Sequence, residues 1–349
     1  MKWLNRFSRK VKVTAAVAVA AAVVLAVLSG AAAYIKSIPD SQQLAKRWAP
    51  GGGYTQISIF YAKSAAPDEM RLKSFEYSLD EKLLVDGIEA PAESARLWLT
   101  AYSGSGKISV TSDRTTIDAA AVGVGGDFFQ FHPFKLLCGS YFSGSDLMQD
   151  AIIIDEDEAW QLFGSSDVAG MTVTIGGVPH YVAGVIERDD SFMDKKAGVD
   201  KMTIYLSYDS LSKYGNTDGI SCYEMLLPNP VSCYGMQLVE EKLGIDEDST
   251  ILVENSERYS LPSLFKVLGD FGTRSMQTMG IVWPGWENAA RGWEDVLALI
   301  LVFQTIAVCV LGVIAVMAFW GLRKAVAVQI KLRKDKRDWK YEETIETMD

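Results

Sequence analysis

Two long apolar runs without charge constrain this chain more than any other feature. The first, Val13 to Ile35, has 23 residues, and the second, Val296 to Trp320, has 25. A helix needs about 20 apolar residues to cross the hydrocarbon core of a bilayer. The runs therefore predict two transmembrane helices, over residues 13–35 and 296–320, and argue against a wholly soluble enzyme.

The first run can be interpreted in two ways. A basic N-terminus and the small residues Ser29 to Ala33 are compatible with a cleaved signal peptide. A signal peptide usually has an apolar region of only about 7–15 residues, which favours a retained anchor here. Both interpretations place the following residues outside the cytoplasm.

Flanking positive charge predicts the orientation of the two helices. The N-terminal segment, residues 1–12, carries five Lys and Arg, and the tail, residues 321–349, carries eight. Both termini are therefore expected in the cytoplasm at the cell membrane, with residues 36–294 outside it. Seven tail residues are candidates for contact with a cytoplasmic ATPase or with lipid headgroups: Arg323, Lys324, Lys331, Arg333, Lys334, Lys336 and Arg337.

Four tryptophans lie near the ends of the second apolar run, namely Trp283, Trp286, Trp293 and Trp320. Tryptophan is enriched where a membrane meets water, so these four are candidate interfacial anchors. The alternative is that they belong to the core of the exported domain.

The exported part of the chain is strongly acidic. Residues 14–321 contain 21 Lys and Arg against 38 Asp and Glu, a formal charge of −17. Such a surface repels nucleic acid and anionic lipid, so no nucleic-acid partner is expected. Of its three cysteines outside the apolar runs, Cys222 and Cys233 could form a disulfide, although their spacing alone does not establish one.

The pattern between the two runs predicts an α+β domain, a split βα sandwich with a β-rich insertion over about residues 95–206. Four helices are expected, at Pro67–Leu84, Glu156–Phe163 (closed by Gly164), Val231–Leu243 and Ser260–Met279. Strands are expected at Tyr54–Tyr61, Ala95–Tyr102, Lys107–Thr111, Ala120–Val124, Ala151–Ile154, Thr172–Ile175, His180–Val185, Met202–Leu206, Ser221–Leu227 and Thr250–Glu254.

The motifs that would indicate catalysis are missing or incomplete. The stretch Ser103 to Ile108 (SGSGKI) resembles a phosphate-binding loop, but it lacks the earlier Gly and the Ser or Thr after Lys107, and it is interpreted as a turn. The acids Asp155 to Glu158 are placed at a helix start and lack the pattern of a calcium loop. The sequence predicts no catalytic, cofactor-binding or metal-binding residue and no cofactor, so the chain is not expected to be an enzyme.

One stretch resembles a known family. Val122-Gly123-Val124 leads to Asp127-Phe128-Phe129 and to Gly139-Ser140-Tyr141-Phe142, followed by Ala151 to Ile154, Ala159 to Gly164, Ala169 to Val173 and Tyr181 to Val185. This order of elements resembles the extracytoplasmic core domain of MacB/FtsX-type ABC permeases. Ser140 stands where the family usually has Arg, and Ala183 where it has Val.

The resemblance implies a non-catalytic membrane subunit of an ABC transport or mechanotransmission complex. Its expected partners are a cytoplasmic ABC ATPase, a second permease subunit or a second copy of the chain, and the lipid bilayer. The family has three helices after the exported domain, and this sequence has one. The alternative function is a stand-alone, membrane-anchored binding or sensing module that works without an ATPase.

Overall fold

The computed structural model describes residues 9–346, apart from 91, 93, 94, 145, 189, 190, 200, 247, 275, 276 and 279. It divides into two compact units. One comprises Met1–Tyr34 and Ala298–Asp349, and the other is the domain, Ile35–Leu297. The basic residues Lys2 and Arg6 lie outside the described residues.

The first unit contains most of the two long helices. Both predicted spans fall within helices that are long and apolar enough to cross a membrane, Arg9–Lys36 and Gly285–Lys334. Gln304, in the second of these helices, donates a hydrogen bond from Nε2 to Oγ of Ser29 in the first, over 3.2 Å. This polar pair satisfies the amide of Gln304 within an apolar stretch, where an unpaired amide is unfavourable.

The domain is built on a mixed sheet of 11 strands, which confirms the α+β class. Nine strands follow the order β11-β1-β10-β2-β3-β8-β5-β7-β4, while β6 pairs with β2 and β7, and β9 pairs with β2. The strands are β1 (Tyr54–Tyr61), β2 (Leu99–Thr111), β3 (Thr116–Gly126), β4 (Leu136–Gly139), β5 (Ala151–Asp155), β6 (Thr172–Ile175), β7 (Val178–Ile186), β8 (Thr203–Ser207), β9 (Asn216–Thr217), β10 (Cys222–Pro228) and β11 (Thr250–Glu254), and a separate pair, β12 (Gln277–Thr278) and β13 (Ile281–Val282).

The helices pack on this sheet and supply its core. One cluster buries Ile57 and Ile59 of β1 beneath the apolar face of α3 and under α8, as expected for an amphipathic helix on a sheet. The helices are α1 (Arg9–Lys36), α2 (Leu44–Trp48), α3 (Glu69–Val85), α4 (Phe128–Phe131), α5 (Glu156–Phe163), α6 (Phe192–Ala197), α7 (Tyr208–Tyr214), α8 (Tyr234–Leu243), α9 (Leu261–Gly269) and α10 (Gly285–Glu346).

The interpretation of Ser103 to Ile108 as a turn is wrong. These residues lie inside β2, which joins the two strands predicted at Ala95–Tyr102 and Lys107–Thr111. The two glycines of this stretch let a neighbouring backbone segment come close to the strand. A Cβ at Gly104 would lie 2.4 Å from the carbonyl oxygen of Gly219. At Gly106 it would lie 2.3 Å from that of Asn216.

The helix predicted at Ser260–Met279 is too long. The structure has α9 over Leu261–Gly269, begun by an N-cap in which Ser260 accepts a hydrogen bond from the backbone N–H of Ser263. Gln277 and Thr278 form the short strand β12 instead. Gly269 and Gly272 weaken the helix at this point, because glycine is a poor helix former. Met279 lies outside the described residues.

Candidate functional site

The first turns of α10 belong to the domain and pack closely on it. A Cβ at Gly292 would lie 2.3 Å from Sδ of Met193, and one at Gly285 would lie 2.8 Å from Cγ2 of Val199. Small residues at these positions therefore let the helix backbone approach its neighbours. On the same segment, Glu287 and Glu294 turn into the domain and are almost fully buried.

Both glutamates accept hydrogen bonds from Arg258. It follows the 3-10 turn Asn255–Glu257 after β11, and 4% of its surface is exposed. Its Nη1 and Nη2 donate to the two carboxylate oxygens of Glu287 over 2.7 and 2.5 Å. Its Nε donates to Glu294 over 2.5 Å. This is the planar, bidentate geometry in which arginine binds a carboxylate most strongly.

The buried positive charge of Arg258 is compensated by the carboxylates of Glu287 and Glu294. Burial by itself lowers the pKa of Arg258, but Glu287 and Glu294 raise it above its ordinary value. Arg274 extends the cluster by pairing with Glu294 and, over 2.7 Å, with Asp295. A buried ion pair requires such compensation, since an unpaired charge in the interior is strongly unfavourable.

A chain of buried hydrogen bonds continues from Arg258 across the sheet. Nη1 of Arg258 also donates to Oδ1 of Asn255 over 3.2 Å. Asn255 in turn donates to Oγ of Ser58 on β1 over 2.7 Å, and Ser58 donates to Glu224 on β10 over 3.1 Å. The other oxygen of Glu224 lies 2.5 Å from Nε2 of His132. We call this set, from Arg258 with Glu287 and Glu294 to His132, the polar network.

The polar network also reaches the segment that follows α1. Nη1 of Arg258 donates to Oε1 of Gln42 over 3.2 Å. Gln56 on β1 fixes the same segment, since its Nε2 donates to the carbonyl of Ser41 over 2.6 Å and its Oε1 accepts from the backbone N–H of Leu44 over 3.0 Å. Arg258 thus binds the start of the domain and the beginning of α10 simultaneously.

The four tryptophans occupy different places. Trp283 is 6% exposed and packs edge-on against Phe60 with ring centres 4.8 Å apart. Its assignment as an interfacial anchor is therefore wrong, because the domain core covers the ring. Trp286 lies 4.6 Å from the ring of His132, and with Trp293 it lines a domain cavity of about 380 Å³. Trp320 is exposed, and its role as an anchor stays a prediction.

The tail residues lie on α10, and no contact shown tests their predicted partners. Arg323 rests over the ring of Phe319 at 5.8 Å. Lys324, Lys331, Arg333 and Lys334 are exposed. The side chains of Lys336 and Arg337 lie outside the described part of the structure.

Comparison with known proteins decides the family. The profile of the MacB-like periplasmic core domain matches residues 13–232. The chain belongs to this family. It is therefore a membrane protein with a MacB-like extracytoplasmic domain of the ABC-permease type.

Relatives of this MacB-like chain carry the same family name. The macrolide export ATP-binding/permease protein MacB of Agrobacterium fabrum is 28% identical over 169 residues, which covers 44% of this chain and 26% of the relative. The protein of that name from Pasteurella multocida is 31% identical over 98 residues, covering 28% and 14%. This chain thus matches about a quarter or less of these relatives' length.

A solved structure gives a weaker match. The periplasmic region of MacB from Actinobacillus actinomycetemcomitans is 15% identical, with a TM-score of 0.39, and the match covers 63% of this chain and 94% of that one.

The sequence did not point to the polar network. Its components are distant in sequence, and no motif joins Arg258 to Glu287. One usable signal was that Glu287 and Glu294 are seven residues apart, on one face of a helix, directly before an apolar run. Two acids on a face that continues into a membrane span require a buried partner or water.

Proposed function

We propose that this MacB-like chain is a non-catalytic membrane subunit of an ABC transport or mechanotransmission complex. In this proposal, both termini lie in the cytoplasm, and the extracytoplasmic domain responds to movement of the two membrane helices. A cytoplasmic ABC ATPase drives that movement, together with a second permease subunit or a second copy of the chain.

The contacts of Arg258 carry the proposal. Arg258 holds Gln42, Glu287 and Glu294 through buried hydrogen bonds. Chains of packed side chains and hydrogen-bond networks are one route by which movement passes between distant parts of a protein. The domain is bonded through Arg258 to both segments that lead to its apolar helices, which is the arrangement a mechanical subunit requires.

The proposal assigns the basic tail to the ATPase or to the inner lipid surface. The candidate residues are Arg323, Lys324, Lys331, Arg333, Lys334, Lys336 and Arg337. Their positive charge suits an acidic protein surface as well as anionic headgroups.

The first test is purification of the tagged chain from its native membrane in a mild detergent, with its partners identified by mass spectrometry. The proposal expects an ABC ATPase and a second permease subunit, or a second copy of this chain, to co-purify. Recovery of the chain without any ATPase would reject the proposal and favour the membrane-anchored binding module.

A second test asks whether the tail takes part in stimulating the ATPase. The variant Arg333→Glu/Lys334→Glu/Lys336→Glu should abolish stimulation of the ATPase by this subunit while thermal unfolding of the domain stays unchanged. A control with the same change of charge is Lys46→Glu/Lys107→Glu/Lys266→Glu, whose residues are exposed in the domain. Full stimulation by the tail variant would remove the tail from the mechanism.

A further inference from the structure

The short helix α9 carries apolar side chains that the domain does not cover. Leu264, in the middle of the helix, is only 4% exposed. Leu261 and Phe265, one turn apart, are 60% and 57% exposed, and Phe271, two residues beyond the end of the helix, is 47% exposed. Residues four apart lie on the same face of a helix. The apolar face of α9 is therefore wider than the part that the domain buries.

Both ends of the segment that contains α9 are fixed to α10. Before the helix, Arg258 donates from Nε to Glu294 over 2.5 Å. After it, Arg274 donates from Nη1 to Asp295 over 2.7 Å and also pairs with Glu294. The segment thus leaves α10 and returns to the same turn of it. Because Phe271 is three residues from Arg274, their Cα atoms lie within about 11 Å of each other.

This turn of α10 stands directly before the second apolar run. Glu294 precedes Val296, the first residue of that run, by two residues, which is about 3 Å along a helix axis. The helix is continuous through this point, and its apolar part is long enough to cross a membrane. Where the run enters the bilayer, both ends of the α9 segment are therefore held at the membrane surface. This position favours lipid as the occupant of the exposed face.

The charges of the segment suit a lipid surface without net charge. Residues 261–273 contain one Lys, Lys266, and one Asp, Asp270. Lys266 lies about 100° around the helix from Phe265, away from the apolar face. A helix with Leu and Phe on one face and a charged residue on another is typical of helices that lie in the membrane–water interface. Its binding depends on the burial of apolar area, and no attraction to anionic headgroups is needed.

We propose that α9 is an interfacial membrane anchor, with Leu261, Phe265 and Phe271 inserted among the lipids of the leaflet that faces the domain. The helix then attaches the base of the domain to the bilayer at a second place, beside the start of the membrane span. The inference requires that the apolar run crosses the membrane. It does not depend on the proposed coupling to an ATPase.

The test measures what surrounds α9 in the full chain, reconstituted into phosphatidylcholine nanodiscs. A nitroxide spin label is attached at Phe265→Cys, in a background with Cys138→Ala, Cys233→Ser and Cys309→Ala that keeps the buried Cys222. Power-saturation EPR compares collisions with oxygen, which concentrates in lipid, and with a nickel chelate, which stays in water. Oxygen should be the more effective of the two at this label.

Two other labelled positions are the controls. Tyr77→Cys lies on α3, where the tyrosine is 67% exposed, and the nickel chelate should be the more effective reagent there. Lys266→Cys is on the same helix as Phe265 but on its polar side, where the lysine is exposed. The nickel chelate should reach the label at Lys266→Cys more readily than the label at Phe265→Cys.

A second variant tests insertion without labelling the helix itself. Leu261→Ser/Phe265→Ser removes two apolar side chains, so a label at Phe271→Cys should lose the preference for oxygen that it shows in the otherwise unchanged helix. Both residues are exposed, so the domain is expected to stay folded.

Three results would overturn the proposal. If the nickel chelate reaches Phe265→Cys as well as it reaches Tyr77→Cys, the face lies in water. If neither reagent reaches Phe265→Cys, protein covers the face, as in contact with a second copy of the chain. If the double serine variant leaves the oxygen preference at Phe271→Cys unchanged, α9 does not hold this segment in the lipid.

Discussion

Buried glutamates in the domain differ in whether an arginine donates hydrogen bonds to them directly. Glu287 and Glu294 share Arg258, which donates to both. Glu158, at the start of α5, is 0% exposed, and its Oε1 has no hydrogen-bond partner among the described residues. Burial raises the pKa of Glu158 to about 9, and the nearby Asp155 adds to the shift.

The difference shows what each group does for the fold. Glu158 completes a capping box, in which its Oε2 accepts from the backbone N–H of Asp155 over 3.3 Å while Asp155 caps the helix. That local role works with a protonated carboxyl group. The polar network instead joins distant segments, and its strength requires ionised glutamates around Arg258. Glu158 acts locally, at the start of one helix, whereas the polar network connects distant segments.

The largest effect is expected from breaking the compensated group. Arg258→Met should lower the free energy of unfolding by about 3–5 kcal/mol, because it leaves two buried carboxylates unpaired. Denaturant unfolding of the purified chain, followed by tryptophan fluorescence, measures the loss. A matched control is Lys135→Met, which removes the exposed pair with Glu187 and should cost less than about 1 kcal/mol.

Replacing Arg258 together with both of its glutamates sharpens this test. Arg258→Met/Glu287→Leu/Glu294→Leu should recover most of the stability that Arg258→Met loses, since well-packed apolar residues often substitute for a buried ion pair without loss. A triple variant as stable as the wild type that no longer supports ATPase stimulation would place the network in coupling. A loss below about 1 kcal/mol in Arg258→Met would contradict the importance of the network for the fold.

Local chemistry explains which parts of this structure could be predicted. Helix α5 was predicted with its bounds because the acids at its start and Gly164 at its end, which has a φ of +77°, are signals contained within the helix itself. Strands β1 and β6 were also predicted with their bounds, β6 from its alternation and β1 from its run of β-forming residues. Each of these elements carries its own start and stop signals.

The predictions failed where distant segments decide the outcome. Gly104 suggested a turn, yet it lies in strand β2. Glycine is needed there because the carbonyl oxygen of Gly219 lies 2.4 Å from where a Cβ would be. Trp283 suggested a membrane surface, yet Phe60 of β1 covers it. Arg258 was not selected, because its partners are 29 and 36 residues further along the chain. Such pairings depend on the fold, which one sequence pattern does not contain.

The next effect tests Glu158 through the pH dependence of stability. Because the pKa of Glu158 is raised from 4.5 to about 9, the folded state binds more protons than the unfolded state between these values. Stability is therefore expected to fall as pH rises from about 4.5 to 9. Glu158→Gln should remove this trend and gain on the order of 3 kcal/mol at pH 8, with little change at pH 4.5.

Thermal unfolding of wild type and Glu158→Gln across this pH range checks the prediction. Glu156→Gln is the matched control, because Glu156 lies exposed in the first turn of the same helix and its loss should change stability by less than about 0.5 kcal/mol. If Glu158→Gln keeps the slope of the wild type, Glu158 is ionised in the folded protein and the contrast with the polar network disappears.

The prediction with the smallest expected effect tests whether the polar network acts as one unit. Ser58→Ala interrupts it between Asn255 and Glu224 and should cost about 1 kcal/mol, because two buried hydrogen bonds are lost. Ser58 and Arg258 are linked through Asn255, to which both are hydrogen-bonded. In a double-mutant cycle with Arg258→Met, the losses in stability at independent sites should add within about 0.5 kcal/mol.

A larger coupling energy would show that a change at α10 alters the energetics at β10. Strict additivity would confine the connection to Arg258 and the residues it contacts, and a mechanical role would then rest on the packing of α10 alone.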